Sequence, residues 1–223
     1  MTDPPVLTHQ RRLVAGDVLR RGSRAPYRAI AATPGEPHQF RYELTDASAS
    51  EHFRAGQVLM CIAHLTDLHV TDVQSPARFE FINREYGDPR FRELLPMQRP
   101  QEALNTHAIA EMIRTLNAIK GAPLTGAPLE LALMSGDAVD NAQWNELAAA
   151  VAVLDGGHVH PDSGGERYEG VQSPGWPDDF FWKPDGAVKG VDLMSEAYGF
   201  PHEPVCWNAR CCHSNLLGSG CHG

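Results

Sequence analysis

Val58 to Ala63, reading Val-Leu-Met-Cys-Ile-Ala, is an unbroken apolar run, and no other stretch limits so sharply what this chain can fold into. A run of this kind fits a strand buried on both faces of a parallel sheet. It then turns polar at once, continuing His-Leu-Thr-Asp-Leu-His-Val-Thr-Asp to Asp72. Asp67 and His69 stand two apart just past the strand. Side chains alternate with period two in extended chain, so a carboxylate and an imidazole are expected to project the same way. Such a pair is a metal-ligand pair.

A second stretch, Leu131-Ala132-Leu133-Met134-Ser135-Gly136-Asp137-Ala138-Val139-Asp140-Asn141, repeats the pattern of a short apolar run ending in a glycine and an aspartate. Between the two, Pro100 to Lys120 carries Ile109, Met112, Ile113, Leu116 and Ile119 on one helical stripe. Strand, helix, strand predicts a right-handed crossover with the two strands parallel. The fold class expected is therefore α/β with a central βαβ unit. Parallel strands put their C-terminal ends on one edge, where open α/β sheets bind ligands, and Asp67, His69 and Asp137 are expected to converge there.

The Asp-x-His of Asp67 to His69, followed by the Gly-Asp-x-x-Asp-Asn of Gly136 to Asn141, resembles the first two motifs of the calcineurin-like metallophosphoesterases. The resemblance covers about Val58 to Leu154 and implies a partial metallophosphoesterase-type α/β sandwich. It implies divalent metal ions, two in the intact family, and mixed nitrogen and oxygen ligands suit Mn, Fe or Zn. Asp67 and His69 would hold one ion and Asp137 would bridge both. The reaction implied is hydrolysis of a phosphate mono- or diester by metal-activated water, with a small-molecule phosphate ester as partner. Asp140 is read as ordering its loop rather than binding metal. The family's third motif, Gly-Asn-His, is missing, since the chain has no Asn-His dipeptide. The form expected is therefore truncated at the C-terminus, with reduced or no activity by itself, and with apolar surface of the first half left bare. A non-catalytic metal- or partner-binding module is the alternative. The blander reading of the motifs themselves is a pair of ordinary turns at Asp67 and Gly136-Asp137.

A hydrophobic fraction of 42% in 223 residues fits a globular domain with one good core. The net charge of −9 argues against a general nucleic-acid partner, because affinity for polyphosphate comes mainly from Lys and Arg. The apolar run Leu147 to Leu154 is eight residues long, against the ~20 that a bilayer crossing needs. Arg11-Arg12 is followed by only three apolar residues, too few for an export signal. Cys61 is alone in the body of the chain and, from its place in the apolar run, expected to be buried; Cys206, Cys211, Cys212 and Cys221 crowd the end. That usage reads as a reduced, intracellular domain, with the cytoplasm as default.

Four segments follow from the pattern. Residues 1–56 are an extension with an edge strand at Phe40 to Leu44, and His38 and His52 lie on the surface. Residues 57–154 are the core, in which Trp144 to Leu154 forms a helix with Leu147, Val151 and Leu154 inward. Within it, Arg78, Arg84, Arg90 and Arg92 lie in a long insertion, either meeting a phosphate or paired with Glu80, Glu85 and Glu93. Residues 155–204 form a loop rich in Gly, Pro and aromatics, and 205–223 an atypical tail whose Cys and His lack paired zinc spacing. Gly157-His158-Val159-His160 matches the family's closing Gly-His-x-His in letters but not in position, so His158 and His160 are not counted as ligands. Gly218-x-Gly220-x-x-Gly223 fails as a dinucleotide fingerprint for want of a strand and a helix.

Overall fold

The two apolar runs pair side by side. β3 (Ile62–Leu65) and β4 (Leu131–Met134) are parallel, in the register Ile62 with Leu131 through Leu65 with Met134. The computed structural model describes residues 7–36, 44, 57–75, 77–123, 125–160, 162–165, 168–173, 175–186, 192–202 and 212–213. Within them the chain is mixed α/β, with three two-stranded sheets and a few helices. β1 (Arg11–Arg20) and β2 (Tyr27–Pro34) form an antiparallel hairpin. α1 (Asn105–Ala118) follows a 3-10 turn at Pro100–Leu104, and α2 (Trp144–Asp155) leads to β5 (His158–Val159). The last elements are α3 (Leu193–Tyr198) and β6 (Cys212–His213), the latter antiparallel to β5.

The expected βαβ unit is present as β3, α1 and β4. Its core lies where the strands end: Leu65, Leu68 and Val70 meet Ile109 and Ile113 of α1 and Ala149, Ala150 and Val153 of α2, with Val159 of β5. Met112 and Leu116 pack at its margin, so the stripe read from the sequence is the face that α1 buries. Each fully buried Leu, Ile or Val of this cluster contributes about 1.5–3 kcal/mol.

Several expectations are corrected. The first strand starts at Ile62 rather than Val58, and it is not buried on both faces: Leu59 is 90% exposed, Ile62 43% and Leu133 48%. The reason is packing, because β3 and β4 pair only with each other among the described residues and the helices cover only the far ends of the strands. The bare apolar surface expected for this half is therefore present. Cys61, just before β3, is half-exposed rather than buried. In α2 the inward face is Glu146, Ala149, Ala150 and Val153, while Leu147 and Val151 face out. A polar residue, Glu146, sets the helix rotation there, as its partners below explain. The hairpin β1–β2 escaped the sequence reading because β1 has little alternation and its residues are mostly exposed. Phe40 to Glu43 of the expected edge strand, His38, His52, the side chains of the tail cysteines and Gly218 to Gly223 lie outside the described residues.

The long segment after α2 is packed against the body through its aromatics. Phe181 and Trp182 are buried, Trp182 N–H donates to the Gln98 side chain at 2.7 Å, and the Gln98 amide donates back to the Trp182 carbonyl at 3.0 Å. No helix among the described residues is long and apolar enough to cross a membrane.

Two measurements check this packing. Ile113→Ala should cost about 2–5 kcal/mol in urea denaturation, whereas Leu133→Ala should stay within about 0.5 kcal/mol. Comparable losses would mean that the β4 face is covered. The second concerns His107 on α1, whose Nδ1 is buried without a partner. Burial pushes its imidazole below the ordinary 6.5, Arg114 pushes the same way, and Glu111 opposes. A lowered folded value means stability that is present above the ordinary value and lost as pH falls through the folded one. His107→Gln should therefore flatten the fall in stability between about pH 7 and 5 relative to the parent chain.

Candidate metal centre

Beyond Leu65 and Met134 the two chains do not part. The ladder continues through Ser135 N–H to Leu65 O (3.1 Å), Asp67 N–H to Gly136 O (3.2 Å) and His69 N–H to Asp137 O (2.8 Å). Val70 N–H to Ala138 O (3.0 Å) and Asp140 N–H to Val70 O (3.1 Å) close it at a parallel bridge between Val70 and Val139. The two loops are thus a single hydrogen-bonded unit carrying both motifs.

Three residues in this unit adopt left-handed backbone: Asp67 at φ 56°, His69 at φ 45° and Asp137 at φ 42°. Each such residue costs on the order of 1–3 kcal/mol, and non-glycine residues in this region cluster at functional sites. This corrects the geometry of the argument from sequence. Asp67 and His69 share the exposed side, alternating with buried Leu68 and Val70, on backbone that is left-handed at both rather than extended.

The outcome is convergence. One ligand atom from each of Asp67, His69 and Asp137 lies within 4.8 Å of the others. His69 Nε2 is 3.8 Å from Asp67 Oδ1 and 3.7 Å from Asp137 Oδ2. Donors sharing one ion at 2.0–2.2 Å stand about 3–3.5 Å apart, so small side-chain adjustments bring all three into coordination. All three side chains are exposed, between 46% and 67%, so the centre opens to solvent. Two carboxylates and one imidazole suit a single Mn, Fe or Zn ion. The described residues gather no other trio of His, Cys, Asp or Glu within the same reach, and His158 and His160 do not join this one.

Around the three donors stand groups that hold them. Asp140 Oδ1 lies 3.4 Å from His69 Nδ1, the ring nitrogen that faces away from the carboxylates, and Asp140 Oδ2 accepts from Arg99 at 2.8 Å. A carboxylate hydrogen-bonded to the far nitrogen orients such a ring and leaves Nε2 for a cation; Asp140 stands beside that nitrogen and is itself held by Arg99. Thr66 Oγ1 donates to Asp67 Oδ2 at 2.5 Å, and the Asn105 side chain, in the first turn of α1, donates to Leu68 O at 3.1 Å.

Two buried carboxylates were missed. Glu146 accepts from Asp72 N–H (2.8 Å), Asn141 N–H (2.8 Å) and the Asn141 side-chain amide (2.6 Å). Asp72 accepts from Gln74 N–H (3.0 Å), Ser163 N–H (3.0 Å) and the Asn145 side chain (2.8 Å), tying the segment after β5 to the first motif. One signal was available: Gln143-x-x-Glu146 opening an apolar run has the spacing of a capping box, and Gln143 N–H does reach Glu146 at 3.4 Å.

Of the four insertion arginines, Arg78, Arg84 and Arg90 form ion pairs among the described residues, and of the expected partners Glu80 alone takes part. Arg78 pairs with Glu80 (3.2 Å) and Glu102 (2.6 Å), Arg84 with Asp178 (2.8 Å) and Arg90 with Asp88 (2.6 Å). Burial pushes the Arg78 guanidinium down, but Glu80 and Glu102 together hold it above its ordinary value. Burial also pushes the Glu80 carboxyl up, more than Arg78 draws it down.

Comparison with protein-family models, curated proteins and solved structures found no match.

If Asp140 positions His69, Asp140→Ala should weaken Mn2+ binding by about 10–100-fold in calorimetry, with little change in the urea midpoint. Unchanged affinity would remove that role.

Proposed function

We propose that this chain is a metal-dependent phosphoesterase of the metallophosphoesterase type. Its βαβ unit would be part of that family's α/β sandwich, hydrolysing a small-molecule phosphate mono- or diester. The observation that carries the reading is the meeting of Asp67, His69 and Asp137 at the C-terminal ends of two parallel strands, each on left-handed backbone.

The donor set fits one divalent ion. A second ion, as in the intact family, would need more donors than the described residues gather around Asp137. An ion held here supplies Lewis acidity and lowers the pKa of water. The chain's own residues do the rest: Asp140 keeps His69 Nε2 turned to the ion, and Thr66 occupies one Asp67 oxygen so that the other faces inward. The open face of the centre gives a phosphate ester a direct approach, and the net charge of −9 disfavours a polyanionic nucleic acid.

The test pairs Mn2+ titration calorimetry with turnover of bis(4-nitrophenyl) phosphate. We expect saturable uptake of about one ion, weakened at least about tenfold by Asp137→Asn, and turnover that EDTA abolishes. Uptake that Asp67→Asn and Asp137→Asn leave unchanged would sink the proposal. Uptake lost in those variants, with no turnover in the parent chain, would favour the second reading of a non-catalytic metal-binding module. The three-donor set supports that reading.

A further inference from the structure

We infer that the open face of the β1–β2 hairpin binds an anionic lipid surface, with its aliphatic side chains seated at the acyl boundary and its arginines on the headgroups. The inference goes beyond the cation chemistry and does not depend on it. Residues 7–36 hold six arginines, Arg11, Arg12, Arg20, Arg21, Arg24 and Arg28, against two acids, Asp17 and Glu36. Their net charge is +4 in a chain whose total is −9, so the remaining residues carry −13. A basic hairpin thus stands on an acidic body. Arg12 pairs with Glu36, whereas Arg11, Arg20 and Arg21 have no carboxylate partner among the described residues. Arg24 donates to the carbonyls of Arg92 and Glu93 and Arg28 to that of Gly16, and a backbone carbonyl leaves the guanidinium charge uncompensated.

The hairpin is fixed at its turn. Ser23 N–H donates to Glu196 O at 2.8 Å, the N–H groups of Arg24 and Ala25 donate to Ala197 O at 2.9 and 3.1 Å, and Tyr27 meets Phe200 edge to face at 6.0 Å. One side of the ribbon is turned inward, and β2 alternates between half-buried Tyr27, Ala29, Ala31 and Thr33 and exposed Arg28, Ile30, Ala32 and Pro34. Cross-strand partners share a face. The register sets Arg11 across from Pro34, Leu13 from Ala32, Ala15 from Ile30 and Val18 from Arg28. The open face therefore carries Leu13, Ile30 and Val18, exposed by 68%, 75% and 40%, with Arg11 at one end and Arg28 at the other. Aliphatic side chains rimmed by guanidiniums complement a surface that has anions above and an apolar layer beneath. An anionic lipid surface has both. A nucleic acid offers the phosphates, but this face holds no aromatic ring on which bases could stack.

The test is flotation of the full chain with vesicles at low salt, in EDTA so that any cation is removed. We expect partition onto equimolar phosphatidylserine and phosphatidylcholine that is about tenfold or more tighter than onto phosphatidylcholine alone. Arg11→Gln and Arg28→Gln should each weaken it about fivefold, and Leu13→Gln combined with Ile30→Gln about tenfold or more. All four residues are exposed, so the circular dichroism of the variants should match that of the parent chain. Absence of partition, equal partition onto both vesicles, or partition that either the arginine or the aliphatic substitutions leave unchanged would overturn the inference. Tighter binding to a single-stranded or duplex oligonucleotide than to the vesicles would overturn it in favour of nucleic acid. A dimer in sedimentation that Leu13→Gln with Ile30→Gln dissolves, without vesicle binding, would overturn it in favour of a second copy of the chain.

Discussion

Glu146 is the side chain on which the arrangement of both motifs depends. It is 1% exposed, and a carboxylate that deep is stable only when its oxygens are fully engaged. Here they accept from Asp72 at the end of the first motif and twice from Asn141 at the end of the second. Hydrogen bonds to a charged group contribute about 1.5–3 kcal/mol each, against the cost of burying the charge. Glu146 also sits in the first turn of α2, where the helix dipole favours an anion. One carboxylate thus joins two loops to a helix. Turning Glu146 inward also turns Ala149, Ala150 and Val153 to the core and leaves Trp144, Leu147 and Val151 in solvent.

That anchoring explains how three strained residues persist. Left-handed backbone at Asp67, His69 and Asp137 would relax if the loops moved independently. They do not, because the loops exchange backbone hydrogen bonds from Ser135 to Asp140, and Asn105 and Glu146 pin them from outside. Of the four non-glycine residues with positive φ among the described residues, three are those whose side chains converge and the fourth is Ala142, while Leu68 and Val70, beside Asp67 and His69, lie in the core. Apolar burial on alternate residues therefore holds the polar ones at the surface.

The parts of this fold legible in the sequence were those set by local pattern. The stripe on α1 and the parallel pairing of the two apolar runs followed from spacing, and so did the meeting of Asp67, His69 and Asp137. What escaped was set by partners distant in sequence. Nothing near Leu147 says that Glu146, one residue earlier, will find buried donors on Asp72 and Asn141 and so rotate α2 by about one residue's turn. Cys61 and Leu59 look like core because an apolar run gives no sign of whether a second layer will cover it. β1 was missed because it is exposed on most of its length, and β2 because its alternation puts Ile30 on the open side and small residues on the covered one. The positive φ values were not legible either, although Asp and His tolerate that region better than β-branched residues do.

Asp67 and Asp137 are placed differently from an aspartate that only closes a turn. A turn aspartate satisfies its own loop, as Asp88 does with the Arg90 backbone N–H and guanidinium. Asp67 and Asp137 instead direct one oxygen each toward an imidazole that Asp140 already flanks on its other nitrogen. Three carboxylates around one imidazole leave an excess of negative charge, and Arg99, on Asp140, is the cation that reaches this group among the described residues. The excess lies on the solvent side, on the two oxygens nearest His69 Nε2. A divalent ion placed there neutralises both carboxylates at once and relieves their mutual repulsion. Because the donors come from two loops that only the fold brings together, an ion held there would bind the folded chain in preference to the unfolded one, and its binding energy would add to the stability of the strained loops.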